Sequence, residues 1–360
     1  MRAVRYDGTG LYLSDIPAPV AGPGQVVLEV TAAGLCHSDL AVMSRPPEAL
    51  PYKLPITLGH EAVGVVVDVG AGISGLAEGD TVAVYGPHGC GACRTCRSGA
   101  ENHCPHARAA GILPPGLGAD GALADYLLVP HSRHLVPLRG LDPVRAAPLT
   151  DAGLTSYHAV RSALPRLPPD GTALLIGIGG LGHLAVQILR ALSSAQIIAV
   201  DMAADKRELA LRCGADTALP STDTVPDQVR DLTEGVGADV VFDFVASDAT
   251  LRMAARSLRP GGEISIVGVG EGRLPVAVNL VPLGAVVRTP YWGTQSDLVD
   301  VLALAREGRI TVEVEEYALE ETPLAYERLA RGNVRGRAVV NPARAPGNAP
   351  GQACAEEQRG

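Results

Sequence analysis

TALLIGIGGLGHLAVQILRALSSAQIIAVD, residues 172–201, decides how the rest of the chain is read. Its opening run, TALLI, is short and apolar and stops at glycine, as a fully buried strand does. LGHLAVQILRAL then shows helical apolar spacing, and QIIAVD is a second buried strand. Between the first strand and the helix lies the loop Gly177, Ile178, Gly179, Gly180, Leu181, Gly182. A glycine loop in this strand–turn–helix setting reads as a dinucleotide site. Gly177 permits the tight turn, Gly179 lets the backbone approach a pyrophosphate at the helix N-terminus, and Gly182 lets helix and strand pack closely. Asp201 ends the second strand, where a carboxylate accepts hydrogen bonds from a ribose 2′-hydroxyl and repels a 2′-phosphate. NAD is therefore favoured over NADP. Lys206 and Arg207, one helical turn further on, are cations able to accommodate a phosphate and keep NADP open.

The alternation continues on the C-terminal side. DKRELALRC (205–213) reads as a helix, DVVFDFV (239–245) as a strand, residues 248–258 as a helix and EISIVGV (263–269) as a strand. Strands alternating with helices predict βαβ units and a parallel sheet. Upstream, residues 1–150 are rich in Val, Gly and Pro, with strand-like runs VVLEVTAAG (26–34) and AVGVVVDVG (62–70) between turns. That half is expected to be β-rich. After residue 290 come a helix near 295–307, strand-like TVEVEEY (311–317) and RGRAVVNP (335–342), which is expected to rejoin the first domain. The tail 343–360 is Pro, Gly, Ala and charge without periodicity, and is expected to be disordered.

A chain of 360 residues is long enough for two domains with sizeable cores. Aromatic residues make up only 3%, so those cores must be aliphatic. The net charge of -9 argues against nucleic acid as a partner. The start, MRAVRYDGTG, carries no apolar signal segment, and the most membrane-like stretch, 173–189, is the strand–turn–helix already described. No membrane partner is expected.

GCGACRTCRSGAENHC (89–104) holds Cys90, Cys93, Cys96 and Cys104, separated by two, two and seven residues. Such spacing lets four thiolates converge on one tetrahedral zinc ion, and sites of this kind are closed and structural. A disulfide ladder is the competing reading. Neighbouring CxxC pairs without an export signal more often bind metal. Cys213 and Cys354 read as unpaired thiols, and reduced thiols favour the cytoplasm. Cys36, His60 and Asp151 lie far apart in the sequence. Alone, each has an ordinary reading, as a core thiol, a buried hydrogen-bonded ring and a helix cap. Together they would supply one thiolate, one imidazole and one carboxylate, a three-ligand set with an open fourth position.

Several of these pieces occur together, in order. They are GLCHSD (34–39), GHEAVG (59–64), GDTV (79–82), the four-cysteine lobe, TDAGLTSYHA (150–159), GIGGLG (177–182) and Asp201. In this the chain resembles the zinc-dependent medium-chain alcohol dehydrogenases over nearly everything from residue 1 to about 342. It is most similar to bacterial secondary-alcohol dehydrogenases with Asp in place of the second cysteine ligand, and TPYWGT (289–294) resembles that subgroup too. The resemblance implies an α/β fold. A β-rich GroES-like catalytic domain would span 1–152 and 291–342, with a doubly wound Rossmann NAD-binding domain at 153–290 and the active site in the cleft between them.

The resemblance further implies NAD and two zinc ions per subunit. Cys36, His60 and Asp151 would hold the catalytic zinc, and the four lobe cysteines the structural one. Glu61 would sit beside the catalytic ion and exchange with water during turnover. Asp39 would orient His60, Thr155 and Leu181 would pack on the nicotinamide, Lys206 would meet the adenosine ribose and Arg337 the pyrophosphate. Ser38 would begin the proton relay. The family's terminal histidine is Ala41 here, which leaves His37 as a candidate for the last step or for a pyrophosphate contact. His131, His134 and His158 read as structural or surface residues. Tyr52, Leu117, Tyr291 and Trp292 are the candidate pocket walls by resemblance.

The implied reaction is reversible oxidation of an alcohol by NAD⁺, with a secondary alcohol preferred and the zinc stabilising the alkoxide. A primary-alcohol or polyol dehydrogenase is the second reading. A non-catalytic NAD(H)-binding protein with a sensing or structural role is a third, disfavoured by the open three-ligand set. A homodimer or homotetramer is the expected assembly.

Overall fold

The computed structural model describes residues 1–347; Cys354 and most of the tail expected to be disordered lie outside the described residues. The chain divides into two units. The first comprises Met1–Asp151, Thr294–Leu302 and the described residues from Val312 onward; the second comprises Ala152–Gly293 and Ala303–Thr311.

The first unit is built on a seven-stranded sheet. Its order is Val314–Ala318, Arg337–Asn341, Val26–Gly34, Glu61–Val69, Thr81–Val84 and Leu135–Pro137, with Tyr126–Val129 also paired to Val26–Gly34. Arg337–Asn341 lies antiparallel to Val26–Gly34, so the C-terminal segment does rejoin the β-rich half. A smaller three-stranded sheet joins Leu11–Asp15, Arg2–Tyr6 and Ile56–Thr57. The core of this unit is mainly aliphatic, with Val26, Leu28, Leu35, Leu58, Val82 and Leu123 almost wholly buried, and it also takes in Tyr6, Tyr317 and Tyr326. Val26–Gly34 and Glu61–Val69 pair antiparallel along their length, and Gly34 stands opposite Glu61. That register carries Cys36, two residues past one strand, towards His60, one residue before the other.

The second unit is a six-stranded sheet in which every pairing is parallel. Its order is Thr217–Pro220, Gln196–Asp201, Thr172–Ile176, Ala238–Asp243, Leu258–Ile266 and Val286–Arg288. This is the doubly wound Rossmann order. The chain adds strands outward in one direction from Thr172–Ile176 and then in the other from Ala238–Asp243, and ligands bind such sheets at the carboxyl ends beside that switch in order. All five residues of Thr172–Ile176 are buried, as a central parallel strand requires. Helix Gly182–Leu192 buries Leu184, Ala185, Val186, Ile188 and Leu189. Ser247 caps helix Asp248–Ser257, its Oγ accepting the Thr250 N–H at 3.2 Å. The strand expected at 263–269 starts earlier and ends at Ile266. Among the described residues no helix is long and apolar enough to cross a membrane.

Candidate active site and metal centres

Cys36 is the N-cap of helix His37–Met43, and the third residue of that helix is Asp39. The wholly buried Asp39 carboxylate does two things. Its Oδ2 accepts the Cys36 N–H at 3.1 Å, closing the helix start, and its Oδ1 lies 3.0 Å from His60 Nδ1. Binding Nδ1 fixes the ring and leaves Nε2 facing Asp151, 3.3 Å from its Oδ2. Cys36 Sγ is 3.6 Å from the same oxygen. Cys36, His60, Glu61 and Asp151 together place their ligand atoms within 4.8 Å of one another. A tetrahedral zinc with ordinary bond lengths separates nitrogen from oxygen by about 3.4 Å and sulfur from oxygen by about 3.6 Å. The donor set fits the ion in both chemistry and spacing.

Glu61 completes the pocket on the inner side. One oxygen is ion-paired with Arg337, and the other, Oε2, is buried without a hydrogen-bond partner. A Cβ on Gly34 would come within 1.9 Å of that oxygen, so only glycine leaves room for it. Burial raises the Glu61 pKa, Arg337 opposes this, and the balance holds it at about 7. Burial alone would lower the His60 pKa. Asp39 and the hydrogen bonds to Asp151 outweigh it and hold the ring well above its ordinary value. A pocket this rich in anionic donors suits a cation. Arg337, expected at the pyrophosphate, is buried, donating to the Leu35 carbonyl at 2.9 Å and to Glu61. A carboxylate with no exposure needs a nearby counter-charge, and Arg337 provides it.

Ser38 Oγ is 3.6 Å from Cys36 Sγ, at the margin of the ligand set. His37 beside it is exposed, and Ala41 is half-buried. Tyr52 and Leu117 pack on the first unit's core, and the Tyr52 hydroxyl has no partner. Tyr291 and Trp292 belong to the second unit, with rings edge to face at 5.8 Å.

In the lobe the sulfur separations are 3.5 Å (Cys93–Cys96), 3.9 Å (Cys90–Cys96) and 4.0 Å (Cys93–Cys104). These are far too long for disulfides. They surround the value of about 3.8 Å set by four zinc–sulfur bonds of about 2.3 Å in a tetrahedron. The Cys93 and Cys96 N–H groups point at Cys90 Sγ and Cys93 Sγ, each at 3.4 Å. Backbone N–H groups of Ala92 and Cys93 draw the Cys90 thiol down to about 6, favouring the thiolate a metal needs. The expectation for His134 is met in a specific form: it is buried and stacked on His88 with ring centroids 3.8 Å apart.

In the second unit Gly177 has φ 91°, open to glycine at little cost, and a Cβ on Gly182 would lie 2.0 Å from the Gly177 carbonyl oxygen. Gly179 is exposed with nothing near its Cβ position, which leaves space for a pyrophosphate at the loop. Gly180 and Leu181 are half-buried beside it. Asp201 Oδ2 accepts the Ile178 N–H at 2.7 Å and Oδ1 the Ala203 N–H at 3.0 Å, which pins the carboxylate at the strand end. Arg207 donates to the Asp201 and Met202 carbonyls, and Lys206 is half-buried one position earlier. Thr155 is buried on helix Ala152–Ala163, whose Ser156 donates to the Leu181 carbonyl at 3.1 Å. The Ser156 tie and the Glu61–Arg337 pair are absent from the sequence reading. The second joins residues 276 positions apart and leaves no local pattern to find.

A parallel sheet with a glycine turn, in a chain that also carries two metal-ligand sets, defines a metal-dependent dinucleotide oxidoreductase. Residues 22–140 match the family model described as "Alcohol dehydrogenase GroES-like domain", and residues 180–307 the one described as "Zinc-binding dehydrogenase". The chain is 39% identical to an NAD-dependent alcohol dehydrogenase of Sulfurisphaera tokodaii, over 95% of this chain and 100% of that one. It is 34% identical to a D-arabinose 1-dehydrogenase (NADP(+)) of Saccharolobus solfataricus, over 92% of this chain and 94% of that one. The crystal structure of an alcohol dehydrogenase from Aeropyrum pernix superposes with a TM-score of 0.88 at 35% identity, covering 95% of this chain and 100% of that one. The chain belongs to the zinc-type medium-chain alcohol dehydrogenase family.

Proposed function

We propose that this enzyme oxidises uncharged alcohols, secondary ones best, to ketones with NAD⁺, and reduces the carbonyls in reverse. The observation that carries the reading is the convergence of Cys36 Sγ, His60 Nε2 and Asp151 Oδ2 at tetrahedral spacing. Bound there, zinc supplies Lewis-acid stabilisation of negative charge developing on the substrate oxygen. The chain's own residues do the rest. Asp39 fixes the His60 tautomer and ring plane. Cys36 and Asp151 supply two anionic donors, which balance a divalent ion. Arg337 keeps Glu61 from adding its full charge. Ser38, at the edge of the set, accepts the substrate hydroxyl proton, and exposed His37 beside it gives that proton a way to solvent. The Gly177–Gly182 loop would hold the pyrophosphate of NAD⁺, which would supply the acceptor for the carbinol hydride, and Asp201 would select the unphosphorylated ribose.

Residues 1–152 with 291–342 are assigned to the catalytic domain and 153–290 to the NAD-binding domain. The two metal-ligand sets in the first unit and the glycine loop in the second support the bulk of this division, while Ala152, residues 291–293 and Ala303–Thr311 group with the second unit. A homodimer or homotetramer is supported by the edge of the Rossmann sheet. Val286–Arg288 pairs on one side only, and Val276, Val278, Leu280 and Leu283 nearby are 58–75% exposed. None of the described cysteines is in a disulfide, which supports a cytoplasmic setting.

The secondary-alcohol preference rests on Asp151 and the TPYWGT segment. A polyol or sugar dehydrogenase is the second reading, favoured by the D-arabinose 1-dehydrogenase relative. NADH formation with 2-propanol, 2-butanol, ethanol and a polyol separates them. The highest kcat/KM is expected with 2-propanol or 2-butanol. A higher value with ethanol or the polyol would replace the first reading.

A further inference from the structure

From the ion pair beneath the four-cysteine lobe, we infer that Glu101 and Arg133 form a clamp that holds the lobe's backbone in its metal-binding shape. The inference rests on the reading of the four cysteines as a zinc site. The lobe has almost no apolar core of its own. Between Cys90 and Ala110 only Cys96 and Asn102 are buried. Something other than hydrophobic packing must fix the loop before a metal can find four sulfurs in place.

The clamp closes on Gly89, the residue before the first cysteine. Glu101 Oε2 accepts the Gly89 N–H at 2.8 Å, and Arg133 Nη2 donates to the Gly89 carbonyl at 2.8 Å. Arg133 Nε donates to Glu101 Oε1 at 3.0 Å, which locks the two arms together. His134 Nε2 lies 3.3 Å from Glu101 Oε2 and anchors the carboxylate to the segment that carries Arg133. Both peptide groups of Gly89 are thus held by one charge pair. The neighbouring Cys90 N–H, directed by that fixed peptide, points at Cys104 Sγ at 3.4 Å. Gly89 itself is closely confined: a Cβ there would lie 2.7 Å from Cys96 Sγ. On the other side of Cys90, a Cβ on Gly91 would meet Arg133 Cζ at 3.1 Å. The guanidinium therefore spans the backbone on both sides of Cys90. Arg94 and Arg97 are exposed on the lobe's outer face, where water screens them. The Glu101–Arg133 pair is neutral as a unit, so its effect is shape and not counter-charge.

The test is the rate at which the zinc-loaded enzyme gives up its lobe metal to a chromophoric chelator, with thermal stability measured in parallel. The lobe metal is identified as the release phase missing from Cys93→Ser. Arg133→Met, which opens the clamp, should speed that phase by about tenfold to a hundredfold, the usual effect of losing a residue that orients metal ligands. Arg133→Lys keeps the charge but cannot reach Glu101 and Gly89 together, so it too should release faster than the parent. It also carries the test should the Met variant fail to fold. NAD⁺ affinity should not change in either. Parent-like release from Arg133→Lys would make charge the cause and overturn the clamp. Parent-like release from both variants would overturn it as well, even with lowered thermal stability, since the pair would then merely support the fold. A Cys93→Ser variant that retains every release phase would instead overturn the four-cysteine reading on which the inference rests.

Discussion

Asp201 carries two tasks on the proposed reading. Its carboxylate is proposed to meet the ribose, and it accepts N–H groups from Ile178 and Ala203. Removing the side chain therefore loosens the glycine loop as well as removing the charge. Asp201→Asn, which keeps an acceptor, should erode the preference for NAD⁺ over NADP⁺ with less loss of NAD⁺ affinity than Asp201→Gly. Steady-state kcat/KM for both cofactors checks this; equal values for the two cofactors in the parent enzyme would contradict the role. Ser38 is proposed for a single task, proton transfer, and its Oγ, 3.6 Å from Cys36 Sγ, is no part of the ligand set. Ser38→Ala should keep zinc content and NAD⁺ affinity and lower kcat by about 10² to 10⁴, as loss of an acid–base group does. Near-parent kcat would show that the proton leaves by another path. At this scale the sequence identifies residues that act through a neighbour or a motif, such as Cys36, Asp39 and Gly177. Arg337 was legible only as a pyrophosphate contact; its pairing with Glu61 escapes the sequence because a buried ion pair depends on where two distant strands meet.

Elements impose their own constraints on the site. The turn from strand Thr172–Ile176 into helix Gly182–Leu192 works only if Gly182 stays small, since a Cβ there would lie 2.0 Å from the Gly177 carbonyl. Gly182→Ala should displace the loop and weaken NAD⁺ binding while leaving both metal-ligand sets loaded. Calorimetric titration with NAD⁺ and metal analysis on one sample check this; unchanged affinity would mean the loop tolerates the shift. The long, strongly patterned elements were legible in the sequence. Val26–Gly34 is bounded as its apolar run suggests, and Gly182–Leu192 follows the helical spacing. Helix Val225–Leu232 and strands Thr217–Pro220 and Val286–Arg288 were not. They have eight, four and three residues, too few for a period to emerge, and only the sheet beside them makes them regular.

The whole molecule joins a β-rich unit holding both metal-ligand sets to a parallel-sheet unit holding the glycine loop. The proposed assembly would cover the sheet edge at Val286–Arg288 and its exposed apolar neighbours. Val278→Asp with Leu280→Asp should shift it towards monomer in light scattering coupled to size exclusion, and an unchanged mass would place the interface elsewhere. Cys36, His60 and Asp151 are proposed to hold the metal that performs the chemistry. Zinc per chain, measured on the parent and on Asp151→Ala alongside NADH formation from 2-propanol, tests this most directly. Two zinc ions are expected in the parent and one in the variant, the survivor held by Cys90, Cys93, Cys96 and Cys104, with NAD⁺ binding retained and turnover abolished. An Asp151→Ala enzyme that keeps its full zinc content and the parent rate would contradict it.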